Sequence, residues 1–173
     1  MTDVMWGNRP PPTPEGGASL VGRWTPGSAV ELTGYRRRLA ATLDSEQAAG
    51  TVARGAVERL LLVFEEVGSN ALRHGRGPVE IRLTRTSTHW LLEVSDAAVE
   101  AGPEPAVGRD AALGALGLYM VARVCGAHGW DADGARKTVW ARIDHAPAEA
   151  PAEVVDALLT PRLAATRRQQ PCR

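Results

Sequence analysis

The sequence predicts an α+β two-layer sandwich, in which a mostly antiparallel sheet is covered on one face by about three helices. Apolar residues recur at spacings of three and four within residues 53–71, as in an amphipathic helix. Residues 79–85 alternate between apolar and polar side chains, and residues 90–96 read as a second strand after a short turn, which predicts an antiparallel hairpin. A second hairpin is predicted around Asp133-Gly134. The predicted order is helix, helix, strand, strand, loop, helix, strand, strand.

Length and composition indicate one folded domain with tails. The chain has 173 residues, and residues 1–17 are so rich in Pro and Gly that we expect a flexible tail there. The folded domain is expected to cover residues 18–145. Residues 146–173, rich in Ala, Pro and Arg, are expected to form a C-terminal tail with a short helix at 152–159.

Charge and cysteine content exclude several classes of protein. The formal net charge is zero, so no overall field attracts nucleic acid or an anionic membrane. Apolar runs are too short for a membrane span, and the two cysteines do not make a disulfide framework. We therefore expect a cytoplasmic protein with no membrane and no direct nucleic-acid contact.

The elements before the first hairpin follow from capping and turn residues. Residues 18–25 alternate loosely and predict an edge strand, and Pro26-Gly27-Ser28 predicts a turn with a helix N-cap. A first helix is predicted over 28–42 and a loop over 44–51. The second helix is expected to end at His74, because Gly-Arg-Gly-Pro follows it.

Three polar side chains follow one another along the second helix. Glu66, Asn70 and His74 are four residues apart, so they stack in one row beside the apolar stripe, whereas Glu65 points towards the solvated side. Such a row is either a solvated flank or one wall of a cleft, since a buried polar group without a partner is costly.

A second group of candidate residues lies after the first hairpin. Asp96 ends a predicted strand and opens a loop over 97–112, a length typical of a lid or binding loop. Gly114 and Gly117 then begin a third helix. Glycines and free N–H groups at a helix start are suited to phosphate.

A nucleotide with its metal ion could bind to both groups of candidate residues. Asn70 offers an oxygen to Mg²⁺, and Asp96 offers an acceptor to an exocyclic amine. Glu66 lies one turn before Asn70, where it can orient or deprotonate an attacking hydroxyl.

These motifs resemble the anti-sigma-factor serine kinases of the histidine-kinase-like ATPase superfamily. The resemblance rests on Glu66-x-x-x-Asn70-x-x-x-His74, on Asp96, on Gly117-Leu118-x-Met120-Val121 and on Lys137-Thr138-Val139-Trp140. It implies a helix-over-sheet ATP-binding domain in which Glu66 is the catalytic base. It also implies that Asn70 holds Mg²⁺, that Asp96 reads adenine, and that the cofactor is bound by the set Asn70, His74, Asp96, Gly114, Gly117, Leu118 and Thr138.

The resemblance also implies partners. Members of this family bind a sigma factor, phosphorylate a serine on a small antagonist protein and are commonly homodimers. The sequence departs from the family pattern at Asp96-Ala97-Ala98-Val99-Glu100, where Asp-x-Gly-x-Gly is usual, and at Ala115-Leu116, where Gly-Arg is usual. A second hypothesis is therefore a degenerate, catalytically weak or inactive module that binds a sigma factor or another partner.

Two further alternatives rest on weaker patterns. Cys125-x-x-His128 is a short metal-ligand spacing, but a structural zinc site usually has two such pairs. The C-terminal arginines lack the interleaved aromatics of a nucleic-acid surface.

Overall fold

The computed structural model describes residues 6–14, 16–48, 52–100, 102–103 and 115–146. Most of the loop at 97–112, Gly114 and nearly all of the C-terminal tail lie outside these residues. The elements in chain order are β1 (Ser19–Trp24), α1 (Ala29–Ala48), α2 (Arg54–His74), β2 (Glu80–Arg85), β3 (His89–Asp96), α3 (Ala115–Val124), β4 (Ala127–Ala132) and β5 (Lys137–Asp144). The predicted order of elements, including the edge strand, is confirmed.

The strands form one antiparallel sheet in the order β1-β2-β3-β5-β4. Both predicted hairpins are present, and pairing of β3 with β5 joins them into one sheet. Asp96 at the end of β3 lies opposite Lys137 at the start of β5. The predicted α+β two-layer sandwich, a mostly antiparallel sheet covered by about three helices, is therefore confirmed.

Helix α1 is longer than the predicted span of 28–42. Its start has the expected cap, because Ser28 Oγ accepts from Glu31 N–H at 3.2 Å and Glu31 Oε2 accepts from Gly27 N–H at 2.7 Å. The helix continues through most of the stretch predicted as a loop at 44–51. Between Tyr35 and Ala48 the chain has no Gly or Pro, so nothing local stops the helix earlier.

Helix α2 packs its predicted apolar stripe into the core. Except for Ala53, the stripe residues are buried, and they pack against the helix-facing side of the sheet; they are Ala56, Val57, Leu60, Phe64, Val67 and Ala71. Gly68 allows α1 to approach closely, since a Cβ there would lie 2.8 Å from Leu32 Cδ1. Within the described part of the chain, no helix is long and apolar enough to cross a membrane.

Residues 6–9 differ from the flexible tail that the sequence predicts. Arg9 N–H donates to Trp130 O at 2.7 Å and Trp130 N–H donates to Gly7 O at 3.1 Å, so this segment runs beside β4. Trp6 is buried and packs against His128, with ring centroids 4.7 Å apart and an angle of 59° between the ring planes. Composition alone predicts disorder here, but a single tryptophan offers enough apolar surface to hold a short segment.

We predict that Trp6→Ala lowers the free energy of unfolding by about 3 kcal/mol, because it removes a buried aromatic side chain from the edge of the core. Urea denaturation measures the change. Val30→Ala is the control, since Val30 is 83% exposed and its truncation should change stability little. Equal effects of the two substitutions would contradict the packing of the N-terminal segment.

Candidate functional site

The three polar residues of α2 become more exposed towards the C-terminal end of the helix. Glu66 and Asn70 are half-buried, whereas His74 at the last position of the helix is exposed. Glu65 is also half-buried, so exposure does not separate the two glutamates as the helical wheel suggests. The two glutamates differ in what they contact, because the Glu66 side chain faces α3.

Glu66 lies directly against the first turn of α3. A Cβ added at Gly117 would overlap the carboxylate oxygen of Glu66 and would lie 2.8 Å from its Cδ. Only glycine leaves room for the carboxylate at this position. The structure therefore brings together two residues that the sequence proposes separately, the glutamate of the polar row and the glycine of the helix start.

Desolvation is the main influence on the Glu66 carboxyl. Partial burial raises its pKa above the ordinary value of 4.5, the positive charge of Arg73 opposes this shift, and the negative charge of Glu65 adds to it. A carboxylate with a raised pKa is a better proton acceptor than a fully solvated one. The local environment of Glu66 therefore suits a general base.

Asp96 is held from three directions at the end of β3. Its Oδ1 accepts from the backbone N–H groups of Ala98 at 2.7 Å and Arg76 at 3.3 Å. Its Oδ2 lies 3.3 Å from Lys137 Nζ. The carboxylate is only 1% exposed, so the pair is a buried salt bridge.

Gly75 makes this arrangement possible at the end of α2. A Cβ there would overlap the backbone oxygen of Ala71 and would lie 2.7 Å from Asp96 Cγ, so a larger residue would disturb both the end of the helix and the carboxylate. The chain then continues along the end of β3, because Ala97 N–H donates to Arg76 O at 2.7 Å. The end of α2 and the end of β3 are thus joined around Asp96.

Lys137 is the site residue that sequence reasoning missed. Residues of one strand alternate between the two faces of a sheet, and Lys137 is in phase with the core residues Val139 and Ala141. Thr138 points to the opposite face, where its hydroxyl lies 2.8 Å from Ser95 Oγ. Strand alternation, applied to β3 and β5 together, is the signal that could have selected Lys137 over Thr138.

The remaining predicted site residues lie near the start of α3 or outside the described part of the chain. Gly117 and Leu118 are buried, and Leu118 O accepts from Trp6 Nε1 at 3.4 Å. Gly114 lies outside the described residues. Glu100 forms an exposed salt bridge with Arg76 at 3.1 Å, and a hydrogen bond from its own backbone and the Arg76 side chain lower its pKa.

The described residues give no support to a metal site at the cysteine–histidine pair. Burial raises the pKa of the Cys125 thiol to about 12, which disfavours the thiolate that binds metal. His128 packs against Trp6. Among the residues that the structure describes, no group of three or more His, Cys, Asp or Glu side chains is placed to hold a metal ion.

The described part of the chain has three helices over an antiparallel sheet, and Glu66 of α2 lies against Gly117 in the first turn of α3. The model of the histidine kinase-like ATPase domain family matches residues 29–143, which is more than half of the chain. The protein therefore belongs to the histidine kinase-like ATPase domain family.

Comparison with solved structures finds a similar chain. The chain is similar to the Acinetobacter baumannii histidine kinase AdeS, with 15% sequence identity, a TM-score of 0.41 and coverage of 75% of this chain and 68% of that chain. No curated protein matches the chain.

We predict that Lys137→Met lowers the free energy of unfolding by about 3 kcal/mol or more, because it leaves the Asp96 carboxylate buried without its counter-ion. Arg76→Met is the matched control, since it removes an exposed salt bridge near the same place. Thermal and urea unfolding measure both variants. Equal stability of Lys137→Met and the unsubstituted protein would contradict a buried salt bridge.

We predict that Glu66→Gln stabilises the protein at pH 8 and has little effect near pH 4. The raised pKa means that the folded state holds this proton more tightly than the unfolded state, so stability falls as pH rises from about 4.5 through the raised value. The amide removes that penalty. The gain is expected to be small, because the Glu66 side chain is only half-buried and solvent screens its charge.

Unfolding curves at both pH values, with Glu65→Gln as the control, measure this effect. A Glu66→Gln variant that loses stability at pH 8 would show that desolvation is not the dominant influence on Glu66.

Proposed function

We propose that this protein is an ATP-binding regulator of bacterial transcription that acts as an anti-sigma factor and as a serine/threonine protein kinase on an antagonist protein. One observation carries the proposal: the half-buried Glu66 carboxylate, with its raised pKa, lies against Gly117 in the first turn of α3. A proton acceptor beside a helix start suited to phosphate supports phosphoryl transfer. Membership of the histidine kinase-like ATPase domain family supports ATP as the ligand.

The described residues fit ATP and Mg²⁺ in composition. Asn70 would hold Mg²⁺ through its amide oxygen, one helical turn from Glu66. Gly117 leaves the space beside Glu66 that a larger residue would fill. Bound ATP with Mg²⁺ would supply the phosphoryl group and neutralise its charge. Glu66 would accept the proton of the serine hydroxyl.

The other residues proposed to contact the nucleotide are supported by the structure to different degrees. Asp96 would accept from the exocyclic amine of adenine, and Leu118 would lie beside the nucleotide at the start of α3. His74 extends the polar row but is exposed. Thr138 has the least support, since its hydroxyl lies on the sheet face opposite α2 and α3.

The proposed partners follow from the sequence resemblance. They are a sigma factor, a small antagonist protein that carries the phosphorylated serine, and a second copy of this chain in a homodimer.

A second candidate function is a binding module that captures a sigma factor or another partner without turning over ATP. The observation that favours it is the burial of Asp96, which is 1% exposed and forms a salt bridge with Lys137. Capture of a sigma factor by ATP-depleted protein would support this candidate, whereas strict dependence of capture on ATP would count against it.

We predict that Glu66→Gln lowers the rate of phosphotransfer to a serine substrate by at least about 10²-fold. ATP affinity should stay nearly unchanged, because the substitution removes only the proton acceptor. Asn70→Ala should instead weaken nucleotide binding in Mg²⁺ and have a much smaller effect in EDTA. Titration calorimetry and transfer of labelled phosphate measure the two effects.

Glu65→Gln, on the neighbouring position of α2, is the control for both assays. If the unsubstituted protein binds no ATP in the presence of Mg²⁺, the kinase proposal fails. If Glu66→Gln transfers phosphate at the normal rate, Glu66 is not the base.

We predict that Gly117→Ala lowers the rate of phosphotransfer by about 10²-fold, because the added methyl group displaces the Glu66 carboxylate and misplaces the base. The fold should survive, since the displaced group is the end of a flexible side chain. Gly55→Ala is the control, because a Cβ there meets only Arg59 Nη1 at 3.6 Å. Normal turnover by folded Gly117→Ala would contradict the contact.

A further inference from the structure

The N-terminal segment at residues 6–9 wraps around β4, which is an edge strand of the sheet. Trp6 is buried on the helix-facing side of the sheet, where its ring packs against His128. Arg9 lies on the opposite face, where its guanidinium carbon is 5.4 Å from the centre of the Trp140 ring. One short segment therefore contacts both faces of the sheet.

Hydrogen bonds fasten this segment along its length. Arg9 N–H donates to Trp130 O at 2.7 Å, and Trp130 N–H donates to Gly7 O at 3.1 Å. The Trp130 indole donates to Trp6 O at 3.1 Å. The Trp140 indole donates to Arg9 O at 2.8 Å. The segment is therefore docked by its backbone as well as by its side chains.

Trp6 also contacts the first turn of α3. Its Nε1–H donates to Leu118 O at 3.4 Å, and Leu118 directly follows Gly117, the residue that leaves room for the Glu66 carboxylate. The family model matches residues 29–143, so Trp6 lies outside the matched region. A residue outside the matched domain is thus bound to the helix start that would hold phosphate.

The loop that follows Asp96 rests on the same segment through Trp130. A Cβ added at Gly102 would overlap the indole ring of Trp130, so the loop backbone lies directly against that ring. Pro103, the next residue, is buried. Since Trp130 is the β4 partner of residues 6–9, the N-terminal segment supports both this loop and α3.

We propose that docking of residues 6–9 on β4 positions the first turn of α3 for nucleotide binding, with Trp6 as the positioning residue. The inference rests on the proposed function, in which the start of α3 holds phosphate. A docked segment orders this turn in advance, so nucleotide binding has less ordering to do. By thermodynamic linkage, bound nucleotide favours docking by the same factor as docking favours the nucleotide.

The first test is ATP binding to the full chain in Mg²⁺, measured by titration calorimetry at a temperature where every variant is folded. Trp6→Ala should lower ATP affinity about tenfold, as is usual for coupled sites. Trp6→Phe should restore most of the affinity, because it keeps a ring against His128. Leu43→Ala is the matched control, since it also truncates a buried side chain, in α1, and should leave ATP affinity unchanged.

Arg9→Ala separates docking of the segment from a local effect of Trp6. The described contacts of the Arg9 side chain are with β4 and β5, so the substitution loosens the segment without touching α3. ATP affinity should fall about fivefold. Arg23→Ala, which removes an exposed arginine of β1, is the control and should have no effect. Normal ATP affinity in Arg9→Ala would overturn the role of docking.

Hydrogen exchange gives the reciprocal measurement. Saturating ATP should slow exchange of the Arg9 amide in the unsubstituted protein about tenfold, the factor by which Trp6→Ala lowers affinity. Without nucleotide, Trp6→Ala should speed exchange of the α3 amides about tenfold more than Leu43→Ala does.

The outcomes separate this inference from the proposed function. Failure to bind ATP would overturn the proposed function, and α3 exchange in the nucleotide-free protein would then decide whether residues 6–9 position that helix. Equal ATP affinities of Trp6→Ala and Leu43→Ala, with no effect of ATP on Arg9 exchange, would overturn the inference and leave ATP binding intact. If Trp6→Ala does not fold, Arg9→Ala and the Arg9 exchange rate decide the question.

Discussion

The salt bridge between Asp96 and Lys137 is the interaction on which the functional end of the domain depends. It joins β3 to β5 at the point where both strands reach the end of α2, and the backbone amides of Arg76 and Ala98 share the same carboxylate. Two buried charges are tolerated together because each is the partner of the other. Three segments that are far apart in the chain are thereby held at one edge of the sheet.

Two acidic side chains lie near this edge, and their surroundings differ. Asp96 is enclosed by two amides, an ammonium group and the Cα of Gly75. Glu66 is only half-buried, lies against Gly117, and has a raised pKa because desolvation outweighs the attraction of Arg73. Each carboxylate needs a glycine next to it, since a methyl group would displace it. A carboxylate is thus held in a fixed salt bridge at Asp96 and is a candidate base at Glu66.

The order of the elements, the apolar stripe of α2 and the row of Glu66 and Asn70 were predictable, because helix and strand periods are properties of short stretches of sequence. Two features depend on contacts between distant segments. They are the packing of Trp6 against His128 and the pairing of Lys137 with Asp96. The continuation of α1 to Ala48 instead has a local cause, because the chain has no Gly or Pro between Tyr35 and Ala48.

By itself, the sequence determined the α+β class, the cap of α1, the two hairpins and the family resemblance, which depend on local periodicity and on motifs within single elements. Only the tertiary structure decided that Gly117 makes room for Glu66, that Gly75 makes room for Asp96, and that Lys137 is the partner of Asp96. These contacts join residues between 21 and 51 positions apart. Their distances are set by the packing of helices on the sheet and by strand register, which no local pattern encodes.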